Sequence, residues 1–171
     1  MLRAIKIFWF AVAVLATVAV PGGAVYGGDV DLNIDLAVRQ VTVSPVRAHA
    51  GDVIHVDVVI GNKAEGMGTT AAELLVNGKS MSRQLFTWGR SAGERQHRLS
   101  FEWDTRGIAP GQYRIGAEAF VWGDSSPFDN RLDVKQPVVV VPPGAGFPDG
   151  EEAGGSATET DPRFGKSSVD G

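Results

Sequence analysis

The feature that most constrains this chain is a period of two in its apolar residues, sustained in short runs from Ile34 to Val141 and broken by clusters of Gly, Pro, Asn and Asp. Successive side chains of a strand point to opposite faces, so such a pattern buries one face and wets the other. The clearest run sets Ile54, Val56, Val58 and Ile60 on one face and His55 and Asp57 on the other. Leu99, Phe101 and Trp103 alternate in the same way with Arg98, Ser100 and Glu102. Tyr113, Ile115, Ala117, Ala119 and Val121 face inward, and Arg114 and Glu118 outward. No stretch carries the 3.6-residue period of a long amphipathic helix. About seven or eight such strands predict an all-β domain, a single antiparallel β-sandwich of immunoglobulin-like type.

Three local signals refine that expectation. The apolar positions are even in Leu36 and Val38 but odd in Val41 and Val43. One extra residue near Arg39-Gln40 must therefore reset the face, as a bulge does. Asn77-Gly78 lies between two strand runs, 71–76 and 79–88, and supplies the positive φ angles of a tight type I′ hairpin. A last strand is expected over about 131–141, where Pro137 argues for an edge position because proline has no N–H to donate.

The ends of the chain differ from this middle. Arg3 and Lys6 precede an apolar run from Ile7 to Val20 and the small-residue stretch Pro21-Gly22-Gly23-Ala24. This predicts a secretion signal, residues 1–24, cleaved after Ala24, with Gly27 as second choice, followed by a short linker at 25–33. The apolar run is shorter than the ~20 residues that span a bilayer. Residues 142–171 are rich in Gly, Pro, Ser and Thr and hold six acids against two bases. Little apolar area is available there to offset ordering entropy, which predicts a disordered acidic tail.

Composition closes off several functions. There is no cysteine, so disulfides, thiolate metal sites, cysteine nucleophiles and a lipoprotein anchor are excluded. The net charge is −4, and loss of the leader with Arg3 and Lys6 makes the chain more acidic, which leaves no basic footprint for nucleic acid. His49, His55 and His97 lack zinc-site spacing, and no Gly-X-Ser-X-Gly elbow, Walker loop or dinucleotide fingerprint occurs. The chain is read as a non-enzyme without cofactor.

The order of motifs resembles that of CARDB domains, the cell-adhesion-related domain found in bacteria. The residues that carry the likeness begin with Asp35-Leu36-Ala37-Val38, Val41-Thr42-Val43-Ser44-Pro45 and Ala50-Gly51-Asp52, the last leading into a Val/Ile strand with Gly61-Asn62. They continue with Leu75-Val76-Asn77-Gly78, Phe101-Glu102-Trp103, Ile108-Ala109-Pro110-Gly111-Gln112-Tyr113 and Asp129-Asn130. The resemblance covers about 35–141 and implies an immunoglobulin-like sandwich of the kind found on bacterial surface or secreted proteins. Within it Tyr113 is similar to a tyrosine-corner residue, ring inside and hydroxyl bonded to upstream backbone. Trp103 reads as core.

Candidate binding residues are the aromatics Trp88, Phe120, Trp122 and Phe128, at strand ends, on outward parity or in the adjoining loop. Large exposed aromatics anchor protein interfaces or stack on sugar rings. Local packing at a strand end accounts for the same residues. Asp124, Asp129 and Asn130 form a weaker calcium option, since oxygen ligands suit that ion. Turn formation explains the same three residues. The expected function is a binding or adhesion-type module in the periplasm or outside the cell. It contacts an envelope or extracellular protein through loops or a free sheet edge, with polysaccharide binding as the alternative. Neither nucleic acid nor stable membrane insertion after cleavage is expected.

Overall fold

A computed structural model describes residues 34–89, 95–121, 124, 126–148, 150 and 152–164. The expected signal, the linker up to residue 33, Trp122 and residues 165–171 lie outside these. Among the described residues no helix is long and apolar enough to cross a membrane.

Among the described residues eleven strands form the fold: β1 (Leu36–Ser44), β2 (Arg47–His49), β3 (Val53–Asn62), β4 (Gly68–Val76), β5 (Lys79–Trp88), β6 (Arg95–Asp104), β7 (Gly111–Tyr113), β8 (Ile115–Phe120), β9 (Arg131–Asp133), β10 (Val138–Val141) and β11 (Ala157–Thr160). They assort into two four-stranded sheets, ordered β11-β1-β3-β6 and β5-β4-β8-β9, and a small sheet ordered β2-β10-β7. All pairs are antiparallel except β2 with β10. The architecture is the all-β sandwich that the period-two pattern predicts, with more and shorter strands.

The core lies where the alternation places it. Ile54, Val56, Val58 and Ile60 from β3 meet Phe101 and Trp103 from β6, and across from them lie Ala72 and Leu74 of β4 with Ile115, Ala117 and Ala119 of β8. In β1 the register shifts between Val38, opposite Ile60, and Gln40, opposite Val59. Arg39 is the extra residue, and both apolar sets of β1, Leu36 with Val38 and Val41 with Val43, are buried as a result. The β4–β5 hairpin turns on Asn77 at φ 51° and Gly78 at φ 77°, both left-handed, and pairs Val76 with Lys79. Tyr113 is the corner tyrosine: its hydroxyl donates to the Ala109 carbonyl, and its ring meets that of Trp103 edge-on at 5.1 Å.

Two sequence expectations are corrected. The single last strand over 131–141 is two, β9 in one large sheet and β10 in the small one, and Pro137 stands just before β10. Proline marks a crossing between sheets here, and β10 is the middle strand of its sheet. The tail read as disordered from 142 instead wraps the molecule. Phe147 is buried and meets the ring of His49 at 5.3 Å, Gly154 bonds with Arg47, and β11 pairs along β1 from Val43–Ala157 to Gln40–Thr160. The composition argument weighed apolar area alone. It left out the main-chain hydrogen bonds that a preformed strand edge offers to any extended segment.

Candidate binding face

The two outer faces of the sandwich differ in chemistry. On the β11-β1-β3-β6 sheet a row of small polar groups crosses all four strands: Thr158, Thr42, Asp57 and Ser100. The Thr42 and Thr158 hydroxyls are 3.0 Å apart, and Ser100 Oγ donates to Asp57 Oδ1 at 2.6 Å. Beside it His55 faces Glu102, with Nδ1 and Oε1 3.7 Å apart. These groups satisfy one another on an open sheet surface, which is the normal solution for a solvated face.

The β5-β4-β8-β9 sheet presents an apolar row. Register sets Leu85, Ala71 and Phe120 side by side on β5, β4 and β8. Leu85 is 71% exposed and Phe120 37%. The next row is charged: Arg83, Glu73, Glu118 and Arg131, with Arg83 Nε 2.8 Å from Glu73 Oε1. Arg83 also sets its guanidinium over the Phe120 ring at 5.7 Å, within cation–π range. Together with Thr69, Thr70 and Val121 these side chains outline a shallow open hollow. Strand β5 is the edge of this sheet. Its lower end carries Lys79 and a register shift that leaves Met81 as an extra residue opposite Leu74 and Leu75, and both devices discourage edge pairing. Its upper half, Ser82–Trp88, pairs regularly with β4 and carries Leu85.

Of the aromatics expected to bind that are among the described residues, only Phe120 belongs to this hollow. Trp88 is corrected: it is 2% exposed and part of the core. Its indole Nε1 donates to Thr70 Oγ1 at 3.1 Å, and its ring packs edge-on against His97 at 4.6 Å and Phe86 at 5.6 Å. Arg95 caps this end, donating to the carbonyls of Ala64 and Gly66. The signal available in the sequence was parity, because Phe86 and Trp88 share the inward face of β5. Phe128 is 95% exposed on the short 3-10 turn Pro127–Asp129, and does not line the hollow. Leu85 is the residue that sequence reasoning missed, although an outward leucine on an edge strand was legible.

The calcium option is likewise replaced by protein contacts. Asp124 accepts from the Leu36 amide at 3.0 Å, Asn130 Nδ2 at 3.1 Å and the Ser126 amide at 2.7 Å, which pins the loop to the start of β1. Asp129 is buried and paired with Lys63, with Arg163 at 3.6 Å. Among the described residues no group of three or more His, Cys, Asp or Glu side chains could hold a metal ion.

A second constellation sits where the tail meets β1. Arg39, buried by its bulge position, lies with its guanidinium 4.4 Å from the Phe164 ring centroid, and Lys63 approaches the same ring at 5.1 Å. Burial pushes the Arg39 guanidinium below its ordinary value, and the neighbouring Asp129 and Asp161 carboxylates push it back up. Hydrogen bonds from the Arg163 side chain hold the Asp161 carboxyl below the usual carboxylate range. Gly61 leaves the room that this guanidinium occupies, because a Cβ on it would fall 1.9 Å from Arg39 Nε and displace the side chain.

This geometry defines a small all-β sandwich of immunoglobulin-like type with an added C-terminal wrap. Comparison with solved structures makes it more particular, because the fold is that of CARDB domains. The crystal structure of the CARDB domain of the PF1109 protein from Pyrococcus furiosus, in complex with di-metal ions, is similar over 63% of this chain and 89% of its own, at 21% identity and a TM-score of 0.50. A solution structure of the same domain is similar at 17% identity, 63% and 96% coverage and a TM-score of 0.49. At 21% identity the likeness to the crystal structure bears on the fold alone. No family profile and no curated protein matches the sequence.

Proposed function

We propose that this protein is an exported, non-enzymatic binding module that engages an envelope or extracellular protein through the outer face of the β5-β4-β8-β9 sheet. The observation that carries the reading is the Leu85–Ala71–Phe120 row, with Leu85 and Phe120 exposed on either side of a buried Ala71, beside a charged row and set against an opposite face of mutually satisfied polar groups. Large apolar side chains grouped on one face and rimmed by charge are the composition of a protein interface core with its polar rim. The leader expected at 1–24 supports export, and the CARDB fold is compatible with a non-catalytic role. Polysaccharide binding is the second reading. It rests on Phe120, whose ring is partly exposed beside Arg83, with Trp88 withdrawn into the core.

The test is capture from envelope extract by the chain starting at Val25, beside its Leu85→Asp and Phe120→Ser variants. A partner retained by the wild type and lost from both variants supports the reading. The same partner retained by both refutes it. Retention of the wild type on insoluble polysaccharide, abolished by Phe120→Ser but not by Leu85→Asp, would favour the second reading.

A further inference from the structure

The edge of β1 is a strand-accepting site, and the chain fills it with its own residues 157–164. We infer that this site also accepts the same segment of a second copy, by reciprocal strand exchange. The inference is independent of the proposed binding face, which lies on the other sheet.

Recognition at this edge has three parts. Strand β11 adds to β1 by main-chain pairing, and its Ala157 is the only one of its four residues that is buried. Side-chain contacts follow the strand: Thr158 bonds with Thr42 and Glu159 accepts from Lys135 at 2.8 Å. Beyond the strand the Asp161 amide donates to the Arg39 carbonyl at 2.8 Å, and Phe164 lies under the cations of Arg39 and Lys63. The segment is thus held as an extended peptide ligand is held, by a strand edge and by two cations over its terminal ring, and the body supplies cations to an acidic, aromatic-ended sequence.

Its grip is modest. Most of β11 is solvated, and the Glu159–Lys135 pair involves a lysine whose side chain is 86% exposed, the kind of contact that contributes little. The connection, 142–156, contains three prolines and five glycines, including Gly154 and Gly155, both at positive φ and separated from the strand by Ser156. Once Phe147 leaves His49 and Gly154 leaves Arg47, this length of chain reaches about 50 Å when extended, enough to pass to a neighbouring molecule. A second copy brings an identical edge and an identical segment, so trading them closes a symmetric pair without creating any new contact type. In the single chain the tethered segment competes at an effective concentration on the order of mM, which keeps the edge occupied at low protein concentration.

The experiment uses the full chain and a fluorescein-labelled peptide of residues 153–164. In the Asp161→Ala/Phe164→Ala chain the tethered segment loses its terminal anchors while the sandwich beneath is untouched, as circular dichroism will report. This variant is expected to bind the peptide at least tenfold more tightly than the wild type does, and a scrambled peptide should not bind. A folded variant that binds the peptide no better than the wild type overturns the inference. Hydrogen exchange on the wild-type chain gives a second reading that needs no variant. The Asp161 amide, bonded to the Arg39 carbonyl, should exchange at least tenfold faster than the amides of 54–58, because release of the segment and not global unfolding frees it. Equal rates would mean that the segment opens only with the whole fold, which also overturns it.

Discussion

Gly61→Ala tests whether the bulge, the buried arginine and the C-terminal wrap form one unit. The backbone of Gly61 is outside the left-handed region, so alanine brings no conformational strain there. Its methyl group would fall 1.9 Å from Arg39 Nε, 2.4 Å from Cζ and 2.6 Å from Nη2. The guanidinium has to leave. Departure forfeits its position over Phe164, worth about 0.5–2 kcal/mol for a partly desolvated cation–π contact. It also weakens the balance of Asp129 and Asp161 with their cations, and the local overpacking adds about 1–3 kcal/mol. A loss of roughly 2–4 kcal/mol follows, or on the order of 10 °C in Tm for a domain of this size. Urea and thermal unfolding, followed by the fluorescence of buried Trp88 and Trp103, measure it. The sharper readout is a double-mutant cycle with Arg39→Ala. Once the guanidinium is gone, Gly61→Ala has nothing to displace, so the double variant should cost no more than Arg39→Ala alone. Additive losses, or a single Gly61→Ala variant within about 0.5 kcal/mol of wild type, refute the reasoning.

Three further outcomes are expected. Tyr113→Phe removes the corner hydrogen bond and should cost about 1 kcal/mol in urea unfolding while leaving partner capture intact. Trp88→Ala should destabilise by about 3–5 kcal/mol, as a large core truncation does, and any effect on binding should vanish when folding is compensated by lower temperature. The Asp161 carboxyl is held below its ordinary value, so its contribution is fully present above the unfolded pKa of about 3.9 and is lost as pH falls through the lower folded value. Hydrogen-exchange protection of 158–164 should therefore drop between pH 5 and about 3 relative to that of β3, and Asp161→Asn should flatten this dependence.

Most of the sandwich was legible in the sequence because its determinants are local. Parity in 54–60 and 99–103 named the core, Asn77-Gly78 named the hairpin, and the even-to-odd switch between Val38 and Val41 located the bulge at Arg39. What the sequence did not reveal depends on contacts between distant segments. Trp88 is buried because Thr70, His97 and Arg95 converge on one strand end, and none of them is adjacent to it in sequence. Asp129 looks like a loop acid until Lys63 and Arg163 are brought to it. The tail has the composition of a solvated segment, and its order is borrowed from the edge it covers. The Leu85–Phe120 row was half legible, since outward parity picked out Phe120 but not its neighbour two strands away.

The wrap also imposes an order in time. Thr42 and Thr158, which meet across the β1 edge, stand 116 residues apart in the chain. During synthesis β1 and β3 emerge early and β11 among the last elements described, so the edge of β1 stays open for nearly the whole interval. Contacts of such separation form slowly, and an uncovered strand edge is where nascent chains join one another. A chain that ends before residue 157 would lack the buried Ala157 and leave that side unsealed. The sandwich is therefore sealed on this side only when β11 has arrived.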